Sequence, residues 1–365
     1  MSLKEDNAFK SALKINKGVE SPSSLNSDAT KRLRKLDVGR LSPLEYFVGI
    51  REGNRTILSK AITLVESSLE EHQDTAQKVI SLCLPYSGNS VRIGITGVPG
   101  VGKSTFIEAF GNYLTSIGKT IAVLAIDPSS TRSKGSILGD KTRMDGLSKN
   151  ENVFIRPSPS AGSLGGIARK TRETVILCEA AGFNTILIET VGVGQSETVV
   201  HSIVDFFLLL MLAGAGDELQ GIKRGIIEMA DAIFVNKADG DNLPKVNLAL
   251  TEIRNALHLF NPDESGWSPV VESCSAITGE GISHVWTVIS NYLILAHGNH
   301  YFQRRRQNQA RQIMYQAIEN TLLNHFYRTP VIKKLLKKTE EEVLSGTLSA
   351  DSGAKIITEA FFNKP

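Results

Sequence analysis

Residues Gly97-Val98-Pro99-Gly100-Val101-Gly102-Lys103-Ser104 fit the pattern G-x-x-x-x-G-K-[ST] at every specified position. Glycines in such a loop let backbone N–H groups turn inward around an anion, with no Cβ in the way. In this pattern Lys103 reaches the β/γ-phosphates of a nucleoside triphosphate as a point charge, and Ser104 ligates Mg²⁺. Thr105 follows directly and is grouped with them. The flanks agree. Residues 91–96 are a short apolar run of strand length, and residues 104–116 have helical character. A helix N-terminus at the end of such a loop adds a positive dipole end at the phosphates. The whole unit is a strand–loop–helix, which sits in α/β folds.

The rest of the chain has the same rhythm. Strand candidates lie at 91–96, 120–127, 153–156, 185–189, 206–212, 232–236 and 269–273, with helical stretches such as 166–181 and 244–259 between them. This alternation predicts an α/β fold with a parallel sheet and helices on both faces. Ligands then bind at the carboxyl ends of the strands. The run Phe206-Phe207-Leu208-Leu209-Leu210-Met211-Leu212-Ala213 is too short to span a bilayer and reads as a central strand.

Residues 1–40 are polar, aperiodic and Ser/Asn/Lys-rich, the composition of a disordered lead-in. Residues 41–87 read as an N-terminal helical extension. Ser42 is placed to be an N-cap, with Pro43 at the first helical position and Glu45 completing a capping box. Ile57, Ala61, Leu64 and Leu69 have helical spacing. The nucleotide-binding domain is expected over 88–297 and a helical arm over 298–365. That arm opens on Arg304-Arg305-Arg306, and a basic run of this kind is expected to be a solvated face. Ile313, Ala317, Ile318 and Leu322 then form an apolar stripe, expected to cover the N-terminal helices or a second subunit.

A net charge of +3 in 365 residues argues for neither nucleic acid nor an anionic membrane as partner. Cys83, Cys178 and Cys274 are odd in number and far apart, so they form no disulfide framework, and a reducing compartment is expected. No apolar secretory segment opens the chain. His297 and His300 lack neighbouring ligands and are expected to be solvated or packing residues.

Asn236-Lys237-Ala238-Asp239 closes the strand at 232–236 and is N-K-x-D, a guanine-reading pattern. Asp239 can accept hydrogen bonds from guanine N1–H and N2–H₂, a pair adenine lacks. Lys237 lays its stem along the base, and Asn236 ties the loop to its neighbours. Two bonds to a charged acceptor, at about 1.5–3 kcal/mol each, favour GTP over ATP by about a hundredfold or more. Ser275 and Ala276, after the last strand, stand where a backbone contact to the guanine carbonyl is expected.

Glu189-Thr190-Val191-Gly192 ends the strand at 185–189, in the place of a D-x-x-G motif that holds magnesium and senses the γ-phosphate. Glu189 reaches Mg²⁺ directly or through water, and Gly192 offers its N–H to the γ-phosphate as a switch. The next residue is Val193, where a water-orienting Gln is common, and Gln195 is wrongly spaced to replace it; slow intrinsic hydrolysis is expected. Asp127 and Asp140 are candidates for the magnesium shell or for orienting water.

Longer segments resemble one family. They are Val123–Thr131, the stretch 135–144 (Gly-Ser-Ile-Leu-Gly-Asp-Lys-Thr-Arg-Met), the stretch 189–197 (Glu-Thr-Val-Gly-Val-Gly-Gln-Ser-Glu) and the stretch 214–223 (Gly-Ala-Gly-Asp-Glu-Leu-Gln-Gly-Ile-Lys). The family is the methylmalonyl-CoA mutase-associated GTPases, known in older usage as arginine/ornithine transport ATPases, and the resemblance covers roughly residues 40–345. It implies a P-loop GTPase domain of the SIMIBI class with N- and C-terminal helical extensions, the latter a homodimerisation arm. It implies a GTP-hydrolysing chaperone that gates adenosylcobalamin loading and protects or reactivates methylmalonyl-CoA mutase or a close relative. GTP or GDP and Mg²⁺ are then the ligands, and the cytoplasm, or the mitochondrial matrix in a eukaryote, the location. Asp127, Asp140 and Glu189 match the family's acidic positions around magnesium. Lys103, Asp127, Glu189 and Gly192 form the catalytic set. Gln195 falls in the second switch, and Gln220 and Lys223 in the third, with Lys223 reaching the nucleotide region on closure.

Two other readings compete. A metal-insertion GTPase of the same class would carry clustered Cys and His near the loop, and none is present. An ATP-dependent kinase of a transport binding protein is disfavoured by Asp239.

Overall fold

The computed structural model describes residues 41–127, 144–159, 164–190, 196–214, 224–257 and 264–362. Helices α1 (Pro43–Arg51), α2 (Arg55–Glu66) and α3 (Glu70–Cys83) come first. Then β1 (Val91–Gly97), α4 (Lys103–Ser116), β2 (Ile121–Asp127), α5 (Asp145–Ser148), β3 (Val153–Pro159) and α6 (Leu164–Ala180) follow. The chain continues through β4 (Thr185–Thr190), α7 (Ser196–His201), β5 (Phe206–Leu212), α8 (Arg224–Met229), β6 (Ala232–Asn236), α9 (Leu243–Leu257) and β7 (Val270–Ser273). It closes with α10 (Ile282–Gly298), α11 (Tyr301–Arg328), α12 (Pro330–Leu344) and α13 (Ala350–Phe362).

The seven strands form one sheet in the order β3-β2-β4-β1-β5-β6-β7, and every pairing is parallel. Strands covered on both faces need apolar side chains throughout; β4 is buried at every position and β5 at all but its last. β1 sits between β4 and β5, with Val91 opposite Thr185 and Ile93 opposite Phe206. One core layer joins Phe106 and Phe110 of α4 to Phe206, Phe234 and Tyr292. β3 runs three residues past its expected end. Its pairing with β2 continues to Asp127 opposite Pro159, and as an edge strand it tolerates Pro157 and Pro159, which a central strand would not.

Helices α1–α3 pack on one another and on α6. Asn54 caps α2, its Oδ1 accepting from the N–H groups of Thr56 and Ile57 at 3.1 and 3.2 Å. Arg156 donates to Glu66 at 2.5 Å and Lys170 to the Glu66 carbonyl at 2.7 Å, fastening α2 to β3 and α6. The buried stripe of α2 is Leu58, Ala61, Ile62 and Val65; of the helically spaced Ile57, Ala61, Leu64 and Leu69, Ala61 lies on it. Leu69 lies beyond the helix as the residue preceding α3 and is 60% exposed. The surrounding positions are apolar too, so spacing alone could not choose the face.

The basic run corrects a second expectation. Arg304 is exposed, but Arg305 and Arg306 are held in ion pairs below the sheet. Arg306 donates to both carboxylate oxygens of Asp205 (2.7 and 2.6 Å) and to the carbonyls of Gly88 and Ser90 (2.5 and 2.7 Å). Asp205 also accepts the N–H of Arg92 at 2.8 Å, and the Arg92 guanidinium pairs with Glu179 at 2.9 and 3.1 Å. A solvated face cannot describe side chains with these fixed acceptors; Arg306 roots α11 at the amino ends of β1 and β5, and Arg305 at that of β6 through Asp231. Beyond Gln309 no residue of α11 is fully buried. Ile318 and Leu322 are 48% and 61% exposed, so the N-terminal helices do not cover them. His297 packs on Phe302, ring centroids 4.1 Å apart.

Candidate functional site

The loop after β1 is shaped by two close approaches. A Cβ on Gly97 would lie 2.4 Å from the Leu210 carbonyl of β5, and one on Gly102 would lie 3.1 Å from the Asn236 amide of β6. Gly102 has φ 90°, a left-handed conformation that turns the chain into α4. Val101 is fully buried beneath the loop. Lys103, the first residue of α4, turns back over it, and its Nζ donates to the Gly97 and Val98 carbonyls at 2.7 and 3.1 Å. Burial pushes the Lys103 ammonium down from its ordinary value, and the nearby charges of Glu189 and Glu197 push it back up. A buried cation whose hydrogen-bond acceptors among the described residues are two backbone carbonyls is poised for an anion at the loop's mouth. Thr105 is exposed one residue beyond Ser104.

Glu189 sits at the carboxyl end of β4, opposite Ile95 of β1 and Ala125 of β2. The Ser104 hydroxyl donates to Glu189 Oε1 at 3.5 Å. Just below, Thr190 donates to Thr96 at 2.8 Å and ties the two strand ends together. Hydroxyl and carboxylate oxygens side by side beside a phosphate loop fit a magnesium ion, which takes hard oxygen donors and keeps several waters. Asp127 ends β2 at the same edge of the sheet; only its backbone is described. Asp140, Gly192, Gln195, Gln220 and Lys223 lie outside the described residues.

At the end of β6 a second cluster meets the loop. Asn236 is buried and donates to the Val101 carbonyl at 2.8 Å, while its Oδ1 accepts from the Ala276 N–H at 3.2 Å. One side chain therefore joins the phosphate loop to the segment after β7. The Cys274 thiol points at the same oxygen, 3.7 Å away. Lys237 has φ 60° and runs beside Gly102. Asp239 Oδ2 accepts from the Ser275 hydroxyl at 2.5 Å, and that oxygen of Ser275 in turn accepts from the Thr278 N–H at 3.1 Å. The hydroxyl of Ser275 thus fixes the carboxylate, where the sequence suggested only a backbone role. Glu197 is a further residue the motifs did not single out. It is 1% exposed on the first turn of α7, and nothing in a linear pattern marks an acid for burial.

Comparison with known proteins gives this geometry its context. A family model described as methylmalonyl Co-A mutase-associated GTPase MeaB matches residues 58–330. A probable GTPase of Mycobacterium tuberculosis is 48% identical over 310 residues, covering 85% of this chain and 92% of its own length. GTPase ArgK of Escherichia coli is 44% identical over 310 residues, covering 85% and 94%. The mitochondrial methylmalonic aciduria type A homolog of Mus musculus is 43% identical over 327 residues, covering 86% and 78%. A crystal structure described as LAO/AO transport system kinase superposes with a TM-score of 0.72 at 37% identity, over 88% of this chain and 98% of that one. With a P-loop GTPase fold, a phosphate loop tied to N-K-x-D, and these relatives, the chain belongs to the methylmalonyl-CoA mutase-associated GTPase family.

Proposed function

We propose that this protein binds and hydrolyses GTP to gate adenosylcobalamin loading of methylmalonyl-CoA mutase or a close relative, and to protect or reactivate that enzyme. The observation that carries the nucleotide half is the double tether at Asn236, which locks the phosphate loop to the base-reading loops. The mutase half rests on the family match. In this reading Lys103 leaves the Gly97 and Val98 carbonyls for the β/γ-phosphates. Backbone N–H groups of Gly100, Val101, Gly102, Lys103, Ser104 and Thr105 surround the phosphates. Asp239, oriented by Ser275, reads the guanine edge, the Lys237 stem lies along the base, and the Ala276 backbone meets the guanine carbonyl.

Ser104 and Glu189 would hold Mg²⁺, with Asp127 and Asp140 in its outer shell. When bound, that ion neutralises charge on the β- and γ-phosphates. Gly192 senses the γ-phosphate, and Gln195, Gln220 and Lys223 belong to the segments that answer it. Residues 41–87, 88–297 and 298–365 act as an extension, a GTPase domain and an arm. The exposed stripe with Ile318 and Leu322 suits a second copy of the chain. The cytoplasm, or the mitochondrial matrix in a eukaryote, is the place for such a partner.

GTP turnover measured with and without purified mutases tests the proposal. Acceleration by a cognate mutase is expected, because the chain has Val193 where a water-orienting Gln is common. Turnover unchanged by every acyl-CoA mutase tried would end the chaperone reading. Equal affinity for ATP and GTP would favour instead the kinase reading that the LAO/AO description suggests for its own protein.

A further inference from the structure

The loop after β6 holds one residue in a conformation that its side chain disfavours. Lys237 has φ 60°, in the left-handed region, where a Cβ crowds the backbone and glycine is the usual occupant. Gly240 is left-handed too, at φ 52°, without that crowding. Strain of this kind persists only where the surroundings over-determine it, and it gathers at ligand clamps. The surroundings of Lys237 do so. Asn236 before it is buried and tied to Val101 and Ala276. The peptide unit after it is held at both ends. Its N–H, that of Ala238, donates to the Cys274 carbonyl at 3.1 Å. Its carbonyl, that of Lys237, accepts from Asn242 Nδ2 at 2.8 Å. A carbonyl can only accept, so the amide presents its nitrogen there. Asn242 ends the single 3-10 turn Gly240–Asn242 that leads into α9, and its own N–H donates to the Asp239 carbonyl at 3.2 Å. Asn242 therefore grips the carbonyls of both Lys237 and Asp239. Because α9 packs on β6 and β7, the grip is anchored to the strands that carry the loop.

We propose that Asn242 is a positioning residue of the base-reading loop: it holds Lys237 in its left-handed turn and so sets Lys237 and Asp239 for guanine. The inference rests on the reading that a guanine nucleotide occupies this site. Asn242 stands outside N-K-x-D and acts through the backbone of that motif. Without its amide, the Lys237 carbonyl turns to water and the peptide unit is free to rotate. Lys237 then relaxes toward negative φ, the region open to a residue with a Cβ. That relaxation redirects the Lys237 stem, which runs beside Gly102, and draws Asp239 away from the Ser275 hydroxyl. Lys103 keeps its place at the head of α4, so the loss falls on the base and spares the phosphates.

Titration of the full chain with fluorescent GTP, GDP and ATP tests this, alongside urea unfolding without nucleotide. Asn242→Ala should weaken GTP and GDP by roughly three- to tenfold, the worth of one neutral hydrogen bond, and leave the weak ATP affinity unchanged. Asn242→Asp, which keeps the shape but has no amide donor, should lose at least as much. The deciding measurement uses Lys237→Gly, because glycine takes a left-handed φ without crowding. That change removes the lysine stem and lowers affinity by itself. Asn242→Ala added to it should cost less than about twofold further, and the shift that Asn242→Ala causes in the urea midpoint should shrink in the same way. An Asn242 that merely starts α9 would cost as much beside Lys237→Gly as in the wild type, and that result overturns the proposal. So does an equal loss for GTP and ATP, the mark of general damage to the site. A wild type that binds no guanine nucleotide overturns the functional reading and this role with it; the wild-type titration alone reveals that outcome, before any substitution is made.

Discussion

Replacing Arg306 with alanine should be among the most destabilising single changes outside the apolar core. Its guanidinium makes four hydrogen bonds, two to Asp205 and one each to the Gly88 and Ser90 carbonyls. The Asp205 side chain is 1% exposed and that of Arg306 16%. Removing the cation leaves a buried carboxylate with one remaining donor, the Arg92 N–H. Breaking one partner of a buried pair costs about 3–5 kcal/mol, and the residual donor and slight exposure of Arg306 place this case near the lower figure, about 3 kcal/mol. For a chain of this length that lowers Tm by about 4 °C. Urea unfolding followed by circular dichroism at neutral pH gives the free energy directly. Adding Asp205→Asn to Arg306→Ala removes the stranded charge while keeping an acceptor for Arg92, and should return about 1–2 kcal/mol. A loss under about 1 kcal/mol, with no recovery in the double variant, would mean that this arginine is effectively solvated and that the network does not root α11.

Three further outcomes are expected. Gly97→Ala places a Cβ 2.4 Å from a backbone oxygen, and should lose about 1–3 kcal/mol of stability along with nucleotide affinity; an unchanged melting curve and binding isotherm would refute the close approach. Asp239→Ala should weaken GTP binding by about a hundredfold and leave weak ATP binding unaltered, whereas Ser275→Ala should weaken GTP more mildly by freeing the carboxylate; titration with fluorescent nucleotides reads both. Burial pushes the Cys274 thiol up to about 12 and Cys83 to about 11. The folded state thus keeps protons that the unfolded chain releases, so stability is undiminished below about pH 9 and falls as pH rises toward the folded values. Urea midpoints at pH 8 and pH 10 should differ accordingly, and at pH 8 a thiol reagent should find no reactive cysteine until the protein unfolds.

Local patterns carried far in this chain because its site stands at strand ends. Gly97, Asp127, Glu189, Asn236 and Ser273 lie at or beside the carboxyl ends of apolar runs, and such runs in a parallel sheet are legible without knowing their neighbours. What could not be read is what depends on distant partners. Arg306 looks like any surface arginine until Asp205 is brought beneath it. The Ser275 hydroxyl acquires its partner only when β6 and β7 pair. Spacing does not single out the buried face of α2, because Ile57, Leu58, Ile62, Leu64 and Val65 are all apolar. Glu197 sits in a recognisable segment, yet its burial shows only once the fold is assembled around it.

The place of β1 at the centre of the sheet has a consequence for how the protein is made. This strand emerges early in synthesis, but both its neighbours, β4 and β5, lie about a hundred residues further along the chain. Contacts so distant in sequence form slowly, after a long loop has closed. The loop that surrounds phosphate therefore has no floor until Leu210 is in place, and no base-reading partner until Asn236 and Ala276 follow. A growing chain cannot use guanine nucleotide as a folding template; it must assemble most of its sheet first, and ligand can then stabilise only what is already finished.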